Sequence, residues 1–169
     1  MSFDKLNINK QLINALSDLA LTEPTPIQSA AFPVIMSGSD AVGIAQTGTG
    51  KTFAYLLPTI RQLTFSQQKA VRVIIIVPTR ELVVQVVQEC KKLCKYQTVR
   101  IGGIYGGANI NTQRQLLFNG LDVLVATPGR LLDMILDRAL IVSSLQKLII
   151  DEVDEMLSLG FRPQLVKVL

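Results

Sequence analysis

The chain has 169 residues and no histidine. That absence excludes a Ser-His-Asp triad, a Cys-His dyad and any imidazole metal site. Catalysis, if present, must run on carboxylates, lysine, arginine and bound ions. There are two cysteines, Cys90 and Cys94, four apart in a helical pattern. Two thiols make half a tetrahedral metal site and no further cysteine completes it, so two reduced, partly buried side chains are expected. Long apolar runs are also missing. The longest, residues 73–77, is far too short to span a bilayer, and the opening MSFDKLNINK lacks the apolar core of a signal peptide. A cytoplasmic protein with no membrane partner is expected. Neither sign of charge dominates: 17 Lys and Arg against 13 Asp and Glu permit a polyanionic partner without demanding one. No internal repeat, low-complexity tract or linker stands out. With 49% hydrophobic residues the chain can bury one sizeable core, and one globular domain is expected.

Runs rich in Val and Ile recur at residues 40–45, 71–77, 98–106, 121–126 and 145–150, each ending in polar or Gly/Pro punctuation. Helical patterns lie between them, roughly at 50–65, 80–95, 110–118 and 129–137, with two more at 9–19 and 26–37. This alternation predicts an α/β fold: a parallel sheet with helices on both faces, because parallel strands require crossovers and right-handed crossovers cover the sheet. Ligands of such folds bind beyond the carboxyl ends of the strands. The last segment, FRPQLVKVL, reads as the opening of a helix with Pro163 in its first turn, and it stops without a cap.

Residues 45–52, AQTGTGKT, follow the first predicted strand and meet the phosphate-loop pattern from its second glycine onward, with Ala45 in place of the first. Gly48 and Gly50 let the backbone curl so that N–H groups face phosphate oxygens, and the helix starting nearby adds its positive end. Lys51 would reach the β and γ phosphates and the Thr52 hydroxyl would ligate Mg²⁺. The alternative is a Gly/Thr-rich turn with a solvated lysine.

Residues 148–157, LIIDEVDEML, run an apolar strand into adjacent carboxylates, Asp151 and Glu152. Such charge is either solvated at the strand end or matched by a cation. Read with the loop, Asp151 is the second Mg²⁺ ligand of a phosphoryl-transfer site. Glu152 is the group that orients or deprotonates the attacking water.

On these residues the chain resembles the first RecA-like domain of DEAD-box ATP-dependent RNA helicases over nearly its whole length. EPTPIQ (residues 23–28) is similar to the family's Q motif, with Phe3 upstream; AQTGTGKT to motif I; PTREL (78–82) to motif Ia; Gly106 and Gly107 to the GG element; TPGR (127–130) to motif Ib; DEVD (151–154) to motif II. The opening MSFDKL looks most like a bacterial member of the RhlE type.

The resemblance implies ATP and Mg²⁺ as cofactors, with Phe3, Thr25, Gln28, Gln46, Thr47, Gly48, Thr49, Gly50, Lys51 and Thr52 on the nucleotide. Gln28 can pair bidentately with adenine, and Phe3 offers a ring to stack on the base or else packs under the first helix. It implies RNA as partner, held in a sequence-tolerant way through Pro78, Thr79, Arg80, Gly106, Gly107, Thr127, Gly129 and Arg130. For the two arginines a structural salt bridge is the alternative.

Three departures bear on this. Val153 replaces the usual alanine, and its extra methyl groups are expected to crowd the carboxylates. Ala20 and Leu21 stand where glycine and an aromatic are common. No SAT motif and no second RecA-like domain occur in the 169 residues, so the chain reads as a domain cut after motif II that cannot unwind RNA alone. In this class the strand after motif II lies between the phosphate-loop strand and the Asp-Glu strand. An empty slot there predicts instability or association between chains. A nucleotide-dependent RNA-binding module without turnover is the competing function.

Overall fold

Short segments rich in Ile, Val and Leu become strands: β1 Val73–Ile76, β2 Ile101–Ile104, β3 Val123–Ala126 and β4 Lys147–Ile150. They pair in parallel in the order β2-β3-β1-β4. The computed structural model in which they are seen describes residues 3–46 and 48–169. These fall into two compact units, one of Met1–Phe65 with Cys90–Thr98 and the other of Ser66–Glu89 with Val99–Leu169.

The sheet belongs to the second unit. Its register sets Ile76 level with Ala126 and Ile150, and Ile104 level with Ala126. Alternation along each strand then puts Ile74, Ile76, Leu124 and Ala126 on one face. There they join Leu117 of α5 (Ile110–Asn119), Leu131 and Met134 of α6 (Pro128–Leu136), Met156 of α7 (Val153–Ser158) and Leu165 of α8 (Arg162–Val168) in a single buried cluster. The opposite face carries Ile75, Val125 and Gly103, and α4 (Arg80–Leu93) crosses it. A methyl group on Gly103 would lie 2.6 Å from Val83 and 3.2 Å from Val87, so only glycine admits the helix this close. The predicted α/β class, a parallel sheet clad on both faces, is the observed one.

The strand starts are tied by charge. Asp122, buried before β3, accepts from the Arg72 guanidinium at 2.8 Å before β1, and from the Arg100 backbone N–H and Nε, each at 2.9 Å, before β2. Burial works against the Asp122 charge, but the hydrogen bonds from Arg100 and Arg72 prevail and hold its carboxyl below the usual carboxylate range.

The first unit is helical. Asn9 caps α1 (Lys10–Asp18) by accepting from the Leu12 N–H, and Leu12, Ala15 and Leu16 form its buried stripe. α2 (Pro26–Met36) opens with Pro26 behind a Thr25/Gln28 capping box. It packs on α3 (Lys51–Gln62), whose Gln62 amide donates to the Met36 carbonyl at the far end of α2. Cys90 and Cys94 are both buried thiols, more deeply than their sequence position implied.

Two features depart from the sequence reading. Residues 40–45, predicted as the first strand, join none of the four strands. Val42 and Ile44 are each 92% exposed. A strand needs a neighbour for its N–H and C=O groups and burial for its apolar side chains, and this segment gains neither from β1–β4. A short helix, α7, follows the Asp-Glu pair where no helix was expected; six residues are too few to register as a periodic pattern.

Candidate functional site

Within the first unit the phosphate-loop residues are shaped by two left-handed glycines. Gly48 has φ +82° and Gly50 φ +88°, values that glycine alone adopts without strain. The Thr49 hydroxyl donates back to the Gln46 carbonyl at 2.6 Å, closing the turn. α3 then begins at Lys51, so Lys51 and Thr52 occupy the first helical positions, where backbone N–H groups lack intrahelical partners and attract anions. Thr47 lies outside the described residues.

Gln28 is brought against this turn. Its Oε1 accepts from the Thr25 N–H at 3.1 Å and its Nε2 donates to the Gly50 carbonyl at 3.2 Å. A primary amide has two donors and two acceptor lone pairs, so one of each is left, the combination that an adenine edge requires. A methyl group on Gly50 would stand 2.5 Å from Gln28 Nε2 and 3.3 Å from the Thr25 hydroxyl. Glycine at 50 is therefore fixed by Thr25 and Gln28 as well as by its φ. Phe3 lies in a 3₁₀ turn, Phe3–Leu6, and is 5% exposed. It sits as a core side chain, and stacking on a base would require a ring face to open.

The second unit collects the other predicted residues at the carboxyl ends of its strands. The register places Tyr105, Thr127, Val77 and Asp151 side by side, at steps of roughly 5 Å across β2, β3, β1 and β4. Pro78 is buried after β1. Thr79 accepts from the Leu82 N–H at 3.3 Å, which leaves Arg80 exposed at the head of α4. Gly106 and Gly107 are exposed after β2, with Gly107 at φ +78°. Thr127 precedes Pro128 at the start of α6, and Gly129 has no atom within 4 Å of where a Cβ would stand.

Arg130 is committed to internal partners. Its guanidinium donates to the Gln113 Oε1 at 2.8 Å and to the Ala108 carbonyl at 3.3 Å, with Asp133 at 3.7 Å. The guanidinium braces the loop after β2. This is the structural role weighed against phosphate contact in the sequence.

At β4 the Asp151 N–H donates to the Ile76 carbonyl, continuing the ladder, and its Oδ1 accepts from the Glu152 N–H at 3.0 Å. Glu152 itself has φ +51° and ψ +49°, a left-handed conformation rare outside glycine, held between the strand and α7. Val153, expected to crowd the carboxylates, is 43% exposed, so its methyl groups have room.

Two residues escaped the sequence reading. Gln113 is buried on α5 and bonds both the N–H and the carbonyl of Tyr105 as well as Arg130. Its signal was present, since it lies four residues before the buried Leu117 and is polar. Tyr105 carries the Arg80 guanidinium 5.0 Å above its ring centroid, a contact between two strand ends that no local pattern reveals.

Among the described residues no three His, Cys, Asp or Glu side chains are grouped for a metal. Mg²⁺ is commonly held by only one or two protein oxygens, with phosphates and waters completing its shell, and the Thr52 hydroxyl and the Asp151 carboxylate are each oxygen donors of the kind that hard cation takes.

The chain belongs to the DEAD/DEAH box helicase family, whose sequence profile matches residues 25–169. It is 41% identical over 170 residues to the ATP-dependent RNA helicase DRS1 of Candida albicans, covering 99% of this chain and 28% of that protein. It is 42% identical over 161 residues to the ATP-dependent RNA helicase DBP3 of Lodderomyces elongisporus, covering 95% and 30%. With the DEAD-box ATP-dependent RNA helicase CshA of Streptococcus pneumoniae it shares 39% over 161 residues, again 95% and 30%. The chain thus spans less than a third of the length of these relatives. They are fungal and bacterial alike, so they do not single out a bacterial RhlE-type protein. No helix among the described residues is long and apolar enough to cross a membrane.

Proposed function

We propose that this chain is the ATP-binding half, the first RecA-like domain, of an ATP-dependent RNA helicase that couples ATP hydrolysis to local separation of RNA duplexes. The observation that carries the reading is the turn with left-handed Gly48 and Gly50 delivering Lys51 and Thr52 to the start of α3. The names of the relatives support it. The finer placement, a bacterial protein of the RhlE type, rests on the opening MSFDKL.

In this reading Lys51 and the first N–H groups of α3 neutralise the β and γ phosphates, and Gln28 reads the adenine edge. Mg²⁺, when bound, withdraws charge from the phosphates, and Thr52 and Asp151 are the residues that would hold it. Glu152 orients the attacking water and takes its proton. Thr79, Arg80, Gly107, Thr127 and Gly129 hold the RNA backbone, with Arg130 keeping the loop after β2 in shape. Backbone contacts carry no base information, so binding is sequence-tolerant. A second RecA-like domain of the same polypeptide supplies the remaining half of the cleft. Residues 40–45, with Val42 and Ile44 exposed, are the segment through which 169-residue chains would associate. A sedimentation coefficient unchanged by Val42→Lys with Ile44→Lys would count against that.

The test is RNA-stimulated ATP hydrolysis by the whole polypeptide. Glu152→Gln keeps the shape and should bind ATP as wild type does while hydrolysing it about 10²- to 10⁴-fold more slowly. Normal hydrolysis by that variant removes Glu152 from water activation. Stimulation by DNA but not RNA assigns a different helicase class, and RNA binding without turnover leaves a binding module.

A further inference from the structure

The candidate site residues of the second unit cluster at the carboxyl ends of the strands. A cavity of about 970 Å³ opens at the other ends, lined by Val71, which precedes β1, by the outer face of α5, and by residues 137–141, which precede β4. Its floor is apolar, with Val71, Leu117 and Leu140 buried beneath it. Its edge is unusual for a surface that faces only water. Phe118 is 75% exposed and Ile141 67% exposed, and both line the same cavity. Scattered exposed apolar residues need no explanation, but two large ones around one concave apolar floor do.

The charges around it have one sign in excess. Lys69, Arg114 and Arg138 line the cavity against a single carboxylate, Asp137. Arg114 is already paired with Asp137. Lys69 is anchored by backbone packing, because its Cα and Cβ lie about where a side chain on Gly120 would have to go, and its ammonium sits 5.9 Å from the Phe118 ring centroid. Arg138 holds a left-handed φ of +54° immediately after α6, with its N–H on the Ile135 carbonyl. Glycine is the usual residue at such a helix end, and an arginine there places a cation at the cavity's edge against backbone preference.

We infer that this cavity is a docking site for an acidic peptide segment of a partner protein, one that inserts a large apolar side chain between Phe118 and Ile141 and sets carboxylates against Lys69 and Arg138. Charge complementarity selects an anionic occupant. The aliphatic floor of Val71, Leu117 and Leu140 selects an apolar side chain over a nucleotide base, whose polar edges would find no hydrogen-bond partner there. The site lies at the end of the sheet away from the residues assigned to RNA and water activation. It therefore does not depend on the helicase reading.

The experiment uses the full 169-residue chain and a short fluorescein-labelled peptide of Asp and Glu around one Phe and one Leu. A peptide with Gln and Ser in place of the acids and an oligouridylate serve as comparators. Saturable binding of the acidic peptide is expected, with amide shifts in the wild-type NMR spectrum concentrated at residues 69–71, 114–118 and 138–141. Lys69→Glu with Arg138→Glu should weaken it about tenfold and leave oligouridylate binding unchanged. Lys69→Glu keeps the Cβ that packs over Gly120, and the wild-type shift map stands whether or not a variant folds. Lack of saturable binding, shifts located elsewhere, or an affinity indifferent to the charge reversal overturns the site. Loss of oligouridylate binding in the double variant reassigns the cavity to RNA. Self-association abolished by the same reversal reassigns it to a second copy of the chain.

Discussion

Gln28 donates its side-chain amide to the main-chain carbonyl of Gly50 across 3.2 Å while its other end caps the first turn of α2. One side chain thereby joins a helix start to the phosphate-loop turn. Gln28→Ala should lose both contacts, costing about 0.5–2 kcal/mol of stability from the cap. In the proposed reading it should also lower the preference for ATP over GTP, because the amide's remaining donor and acceptor are the groups assigned to the adenine edge. Isothermal titration with the two nucleotides measures this. An unchanged ATP-over-GTP ratio would mean that other groups read the base.

Arg130 makes its hydrogen bonds to Gln113 and Ala108, so its removal should act first on the loop that carries Gly106 and Gly107. Arg130→Ala is expected to cost about 1–3 kcal/mol in urea denaturation, since the Ala108 carbonyl loses its charged donor and Gln113 Oε1 keeps only the Tyr105 N–H. RNA affinity of the whole polypeptide should fall while the slope of log affinity against log salt stays the same. A slope reduced by about one would instead show a direct phosphate contact.

Asp122 ties the starts of β1, β2 and β3 through Arg72 and Arg100. Its folded pKa lies below the unfolded value, so its contribution is full above the unfolded carboxylate pKa of about 3.9 and is lost as pH falls through the folded one. Wild-type stability should therefore decline below about pH 4. Asp122→Asn should be destabilised at neutral pH by about 3–5 kcal/mol, because Arg72 is left buried and unpaired in charge, and its curve should be flatter on the acid side. Urea midpoints across that range provide the comparison. Parallel acid limbs would remove Asp122 from the acid response.

The strands and helices of the second unit were legible because β1 and β3 are buried on both faces and read as unbroken apolar runs, and because α4 and α6 carry helical periodicity over two turns or more. The turn ahead of α3 was legible through Gly48 and Gly50, whose left-handed backbone is a local property. Residues 40–45 misled for the opposite reason. Their alternation is that of a strand, but strand formation depends on a neighbour that local sequence cannot report. The same holds for Arg130. A guanidinium after a strand end can serve phosphate or protein, and the choice was made by Gln113, seventeen residues away on α5. Phe3 had two readings, and only its burial showed that it sits with the core.

The central claim is that the turn around Gly48 and Gly50, followed by Lys51 at the head of α3, binds the phosphates of ATP. The direct measurement is binding of a fluorescent ATP analogue to the wild-type chain and to Lys51→Ala in the presence of Mg²⁺, with circular dichroism confirming that both are equally folded. The account predicts saturable binding by the wild type, competed by ATP, and loss of at least about tenfold in affinity for Lys51→Ala. Equal affinity in the two folded proteins would contradict it.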